Sequence, residues 1–286
     1  MVYRSSDDWK SAKGKRVLLF GMSGLGKTHV SNILRDGGDW FHYSVDYRIG
    51  TRYMGEHIVD NFKLEAMRNP FLAELLRSDS IYIASNITFN NLSPLSTYMG
   101  KPGNPALGGI PFAEYQHRQE LHRQAEIASL LDTERFIGRA KDLYNYDNFV
   151  CDSGGSICEV VDPNDPNDPV LTSLSNNLLM VWIRGTEDHA DELAARFRKS
   201  PKPMYFGQEF LTELWARFLS ENNVSEDEVD PDAFMRFAYR QCLDHRLPIY
   251  QAMADKWGVT VQASDIETIQ NADDFDALIT RTLEAG

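Results

Sequence analysis

Short apolar runs recur along the chain, at residues 17–20, 40–45, 148–151, 178–183 and 259–261, and each reads as a buried strand. Between them the apolar residues change to helical spacing. Val30, Ile33 and Leu34 follow the first run, and Gly37-Gly38 ends that helix. Ile58, Phe62 and Met67 mark one or two helices across 48–68, and Leu121, Ile127, Leu130 and Leu131 form a stripe within a long helix over 112–144. Further helices are expected from 187 through Arg198 and over 207–222, 231–256 and 271–284. Strands alternating with helices predict an α/β fold whose mostly parallel sheet is covered on both faces. Residues 1–14 read as a polar lead-in, with Trp9 packing back onto the domain. One region breaks the pattern: 81–87 reads as a strand or a helix, and 90–111, dense in Gly, Pro, Asn and Ser, reads as mostly loop. A loop of that length is usually functional, so 64–111 is expected to be an insertion that covers or shapes a substrate site.

The junction of the first strand and first helix carries the strongest chemical signal. Residues 21–28, GMSGLGKT, satisfy the Walker A pattern G-x-x-x-x-G-K-[ST], with strand before and helix after as the motif requires. Gly21, Gly24 and Gly26 let the backbone bring its N–H groups up to phosphate oxygens, and Ser23 and Leu25 complete the loop. Lys27, Thr28 and His29 open a helix whose N-terminal dipole favours the same anion. Lys27 is expected at the β- and γ-phosphates and the Thr28 hydroxyl on Mg²⁺. The chain is therefore expected to bind a nucleoside triphosphate, ATP with Mg²⁺.

Composition narrows the field. With 42 Asp and Glu against 29 Lys and Arg, the net charge of -13 over 286 residues disfavours a general nucleic-acid binder. Cys151, Cys158 and Cys242 form no C-x-x-C pair and are odd in number, so buried reduced thiols are expected rather than a disulfide framework. Neither an apolar leader at the N-terminus nor a membrane-length run is visible, which predicts a soluble cytoplasmic protein.

Other residues gain weight from position. Asp46 follows the second strand, at the carboxyl end where open α/β sheets bind ligands. Asp152 ends the third strand as a Walker B acid would, a candidate to hold Mg²⁺ directly or through water, and Gly154 and Gly155 behind it permit close backbone approach to a ligand. Arg118 and His122 on the long helix read as part of a solvated face. Arg196, Arg198, Lys199 and Lys202 cluster beside two prolines, either as a solvated loop or as a lid over the triphosphate; with Walker A present, the lid is preferred. The spaced acids of 162–169 lack the glycine and glutamate of an EF-hand, so no calcium site is expected there.

Several stretches together resemble the shikimate kinase-like group of P-loop kinases, relatives of the nucleoside monophosphate kinases. They are Walker A, VDYRIGTRYMGEHIVDNF, LHRQAEIASLL with Arg123 and Glu126, CDSGGS, LLMVWIRGTEDHADELAARFRK and HRLPIYQAMADKWGV, in the family's order over about half of the chain. The resemblance implies a P-loop three-layer α/β/α sandwich with a five-stranded sheet, here one kinase-like domain with an insertion at about 64–111, a lid at about 196–206 and extra helices at about 207–232. It also implies an acceptor pocket of Asp46, Arg123, Gly154, Gly155 and Arg246, with Arg198 as lid arginine and Arg196 or Lys199 as alternatives. Ser44 stands where the family has the first of two acids, and the glycine stretch is Ser153-Gly-Gly-Ser156, so shikimate itself is not expected as acceptor.

The implied activity is ATP- and Mg²⁺-dependent phosphoryl transfer to a small acceptor. Lys27 and Arg198 would stabilise the transferred group and Asp46 would orient or deprotonate the acceptor hydroxyl. The acceptor is anionic if Arg123 and Arg246 are left uncompensated; local pairing, such as Arg123 with Glu126 or Arg246 with Asp244 or a distant carboxylate, removes that reason. The rival is a P-loop ATPase or nucleotide-dependent switch acting on a protein partner, with 69–111 as its docking surface. Neither nucleic acid nor membrane is expected as a partner.

Overall fold

The computed structural model describes residues 2–285. In chain order its helices are α1 (Ser6–Ser11), α2 (Lys27–Asp36), α3 (Val45–Arg48), α4 (Gly55–Met67), α5 (Pro70–Arg77), α6 (Ser93–Met99), α7 (Phe112–Tyr144), α8 (Pro169–Asn177), α9 (Glu187–Lys199), α10 (Gln208–Asn222), α11 (Pro231–Trp257), α12 (Ala263–Ile266) and α13 (Ala272–Ala285). The strands are β1 (Arg16–Phe20), β2 (Trp40–Ser44), β3 (Asn148–Asp152), β4 (Leu179–Arg184) and β5 (Gly258–Gln262). Contacts divide the chain into two compact units, Met1–Val45 with Glu126–Pro201 and Arg236–Gly286, and Asp46–Ala125 with Lys202–Met235.

The first unit contains the sheet. All its strands run parallel in the order β2-β3-β1-β4-β5, so β1 lies at the centre, flanked by β3 and β4. Val17, Leu18, Leu19 and Phe20 are fully buried, as a parallel strand covered on both faces must be. Val17 and Leu19 point to one face, where they meet Val30 and Leu34 of α2, Phe275, Leu278 and Ile279 of α13, and Trp9 of α1. Trp9 is fully buried, and its indole N–H donates to Asp276 Oδ1 at 2.7 Å, so the polar lead-in does pack back onto the sheet. On the other face Phe20 and Trp182 meet Tyr250 of α11 at ring distances of 6.1 and 6.3 Å, and Tyr43 meets Phe136 of α7 at 5.0 Å. Each such side chain contributes roughly 1.5–3 kcal/mol through burial. The result is an α/β fold of the P-loop type, a five-stranded parallel sheet between helical layers with additional helices.

The second unit is helical. Phe112 stacks on Trp215 at 4.5 Å, and Phe234 meets Trp215 and Phe218 edge-on at 4.9 and 5.5 Å, joining α7, α10 and the start of α11. Tyr115 Oη and Gln119 Nε2 donate to the Met204 carbonyl at 2.7 and 3.0 Å, while Gln119 Oε1 accepts from the Phe206 amide at 2.9 Å. These bonds hold 204–206 along α7.

Three expectations change in this unit. Residues 81–87 form neither strand nor helix, although their exposure alternates as in a strand; the bridge Thr88–Asn91 follows them. The 90–111 segment contains α6 and a 3₁₀ turn at Pro105–Leu107, because Pro94 sits in α6's first turn, where its missing N–H costs nothing, and Leu95, Tyr98 and Met99 bury. Arg118 and His122 are not on a solvated face. Arg118 is 12% exposed in its side chain, pairs with Glu114 at 2.7 Å and donates to the Tyr98 carbonyl. His122 is buried and stacks on Tyr205 at 4.8 Å. Their apolar stems and rings pack, which the charge alone did not signal. Among the described residues no helix is long and apolar enough to cross a membrane.

Candidate phosphate and metal site

β1 delivers the chain to Gly21, and six residues later α2 begins at Lys27. Gly21, Gly24 and Gly26 all take positive φ, at 133°, 92° and 96°. Gly26 is the N-cap of α2 in the left-handed region, where a side chain is strained, and no side chain caps the helix. The loop thus presents backbone rather than side chains ahead of the helix dipole, the arrangement an anion needs.

Lys27 is buried, and its ammonium donates to the carbonyls of Gly21 at 2.8 Å and Met22 at 3.0 Å. Its charge is therefore held on the glycine loop. Thr28 Oγ1 donates to Asp152 Oδ2 at 2.8 Å, joining the first turn of α2 to the end of β3 across 124 residues. Asp152 is 7% exposed, and His42 Nε2 of β2 lies 3.8 Å from the same oxygen. A hydroxyl and a carboxylate are hard oxygen donors, suited to Mg²⁺. Ser23, Thr28 and His29 are exposed and Leu25 is buried.

The glycine stretch after β3 backs onto this loop. A Cβ at Gly155 would lie 2.6 Å from Ser23 Oγ, so glycine there lets the two segments approach. Gly154 is buried beside it. The Gly155 carbonyl accepts from Arg246 Nη1 at 2.7 Å and Tyr250 Oη at 2.5 Å. Arg246 also donates from Nε to Glu159 Oε1 at 2.8 Å, and the two side chains are 5% and 3% exposed. His245 Nε2 stands 3.4 Å from Glu159 Oε2. Burial would raise the Glu159 carboxyl, but the Arg246 charge and the bonds from His245 and Arg246 outweigh it and hold it at about 2. Ser156 Oγ donates to both oxygens of Glu126, at 2.9 and 2.8 Å. Arg246 is thus bound into the floor under the glycines by a distant carboxylate.

The remaining candidates lie elsewhere. Arg196, Arg198 and Lys199 occupy the last turn of α9, where Arg196 pairs with Glu192 at 3.1 Å and Arg198 and Lys199 are exposed. Asp46 and Arg123 belong to the second unit, Asp46 half-buried on α3 and Arg123 paired with Glu120 at 2.9 Å rather than with Glu126. The three cysteines are free and buried, and burial pushes their thiols up, Cys242 to about 12, so none offers a reactive thiolate.

No protein-family model matches this sequence, and no curated protein matches it. Among solved structures, shikimate kinase from Bacteroides thetaiotaomicron is similar over 95% of this chain and 97% of that one, with 13% identity and a TM-score of 0.38. A similarity of that grade assigns no residue a role, so the roles rest on the geometry of this chain.

That geometry includes features the sequence left unread. A cavity of about 430 Å³ opens beside the glycine loop, lined by Met22, Leu25, Arg184, Thr186, Tyr250 and Gln262 among others. Apart from Met22 and Leu25 of the loop itself, its residues come from β4 and the turn after it, the end of β5, α9 and α11, which no local motif joins. His42 and Glu159 were also missed. A polar residue inside the apolar run 40–45 was the one available hint for His42.

Proposed function

We propose that the chain is an ATP- and Mg²⁺-dependent phosphotransferase that moves the γ-phosphoryl group to a small acceptor. The observation that carries this reading is the Thr28–Asp152 bond at 2.8 Å beneath a capless, glycine-led helix. It joins the two oxygen donors that a triphosphate-bound metal needs to the backbone that cradles the phosphates.

In this reading Gly21, Ser23, Gly24, Leu25, Gly26, Lys27, Thr28 and His29 hold the phosphates, and Lys27 adds a fixed point charge. Thr28 and Asp152 hold Mg²⁺, which when bound neutralises charge on the phosphate oxygens. The cavity beside the loop, with Arg184 and Thr186 in its lining, receives the base. Arg198, with Arg196 and Lys199 beside it on α9, supplies the lid cation. Asp46 orients or deprotonates the acceptor hydroxyl and Arg123 is a further acceptor-binding candidate, while Gly154 and Gly155 permit close backbone approach to a ligand. Arg246 contributes through Gly155, whose carbonyl it holds, since its charge is already matched by Glu159. Such catalysis is mostly positioning and electrostatics.

A second reading, an ATPase or switch that acts on a protein partner, rests on Leu64, Phe71 and Tyr82 of the second unit, which are 67%, 67% and 89% exposed. One experiment separates the two. The full chain is incubated with ATP, Mg²⁺ and a mixed metabolite pool, and phosphate transfer is followed by mass spectrometry with Lys27→Ala as control. The kinase reading expects a phosphorylated metabolite that disappears in the control. ATP consumption with no phosphorylated small molecule would favour the second reading.

A further inference from the structure

A second cavity, of about 540 Å³, lies wholly within the second unit. It shares no lining residue with the glycine loop. Its walls are Ser93, Ser96 and Thr97 of α6, Gly100 and Lys101 of the following turn, Lys202, and the neighbouring Leu92, Gly108 and Pro203. Two lysines, two serines and a threonine therefore line one space of a size that suits a small metabolite. No carboxylate lines it, in a chain with 42 acidic residues.

The hydroxyls are placed by the helix itself. Ser93, Ser96 and Thr97 stand at i, i+3 and i+4, on one face of α6, while Leu95, Tyr98 and Met99 bury on the other. The turn that carries Lys101 is tied down. Gly103 donates to the Ile110 carbonyl at 2.9 Å, Ile110 donates to the Lys101 carbonyl at 2.9 Å, and Asn104 donates to the Val229 carbonyl at 2.9 Å. Lys101 pairs with Asp232 at 2.5 Å, its side chain 25% exposed, which fixes its ammonium and halves the formal charge of the two lysines. Lys202 is exposed, and among the described residues no carboxylate lies within 4 Å of it. The cavity is left with one uncompensated positive charge.

We propose that this cavity binds the phosphate group of a small molecule other than the nucleotide. Lysine is a compact point charge without the planar fork that pairs a carboxylate, and dispersed hydroxyl donors suit a tetrahedral oxyanion. Lys202 supplies the charge, Ser96 and Thr97 donate hydrogen bonds, and Lys101, held by Asp232, completes the ring. The site does not depend on the kinase reading, because it requires neither the glycine loop nor a bound metal.

The test uses the full chain titrated with inorganic phosphate and followed by amide NMR at Ser96–Lys101, first alone and then with a saturating non-hydrolysable ATP analogue. The expected result is saturable shifts at these amides that persist with the analogue and in Lys27→Ala. Lys202→Ala should weaken the binding about tenfold and Lys202→Arg should retain most of it. An unchanged titration in Lys202→Ala, or an absence of saturable shifts, overturns the proposal. Loss of the shifts when the analogue is added also overturns it, since the anion would then be the nucleotide's own. Lys202 is exposed, so thermal melts of the variants should match the parent.

Discussion

The glycine loop and the 90–111 segment have similar compositions, rich in glycine and small polar residues, yet they acquire structure in different ways. In the loop the order is local. Three glycines with positive φ, a buried strand before them and a helix after them fix the backbone within eight residues. In 90–111 the order comes from far along the chain. A Cβ at Gly103 would lie 2.6 Å from the Val229 carbonyl, and Lys101 meets Asp232 across 131 residues. Composition alone reads both as turns; a motif identifies the first, whereas the second gives no local sign of its partners.

Charge separates the two units in the same way. In the sheet unit the Arg246–Glu159 pair is nearly dry, whereas in the second unit the Lys101–Asp232 pair remains 25% and 39% exposed. Desolvated pairs are costly to break from one side, and solvated pairs are not.

The largest expected effect sharpens this contrast on the chemical side. Arg198→Ala should lower turnover about 10³-fold if Arg198 is the lid cation, with an unchanged thermal melt because the side chain is exposed. A near-normal rate would transfer the role to Arg196 or Lys199, or remove the lid.

Next comes stability. Glu159→Gln leaves Arg246 buried without its anion and should cost about 3–5 kcal/mol in denaturant unfolding. Asp232→Asn should cost about 1 kcal/mol or less. Equal costs would break the comparison between the units. Acid makes the same point without mutation. The Glu159 pKa lies at about 2 in the folded chain against an ordinary 4.5. The stabilisation is therefore fully present above pH 4.5 and is lost as pH falls from there toward 2, by roughly 3 kcal/mol. In Glu159→Gln that part of the acid dependence should disappear.

A smaller effect probes the contact of the glycine stretch with the loop. Gly155→Ala forces a methyl group to within 2.6 Å of Ser23 Oγ. It should weaken ATP binding by about tenfold, as overpacking of this size costs about 1–3 kcal/mol. An alanine variant with full affinity would show that Ser23 can move without disturbing the cradle.

The fold was largely legible in the sequence because its signals are periodic and local. Each of the runs at 17–20, 40–45, 148–151, 178–183 and 259–261 contains a strand of one sheet, with Val45 and Leu178 just outside theirs, and the helix expected over 112–144 spans Phe112–Tyr144. The strand order was not legible, since it depends on which crossovers pass which face. At the site, Thr28 and Asp152 could be named separately, but only the parallel pairing of β1 with β3 shows them joined. Arg118 and His122 were misread because a charged residue on a helix gives no sign of a carbonyl or ring from another segment that will cover it. The base cavity escaped notice for the same reason, as β4, β5, α9 and α11 complete its lining beside the loop.

The most direct test of the account is the Mg²⁺ dependence of ATP affinity, measured at equilibrium for the parent and for Asp152→Asn. If Thr28 and Asp152 hold the metal, Mg²⁺ tightens binding in the parent and this gain falls by about tenfold or more in the variant, while affinity without metal stays similar. An equal gain in both proteins, or no ATP binding by either, would contradict the assignment of Thr28 and Asp152 as the metal-holding pair.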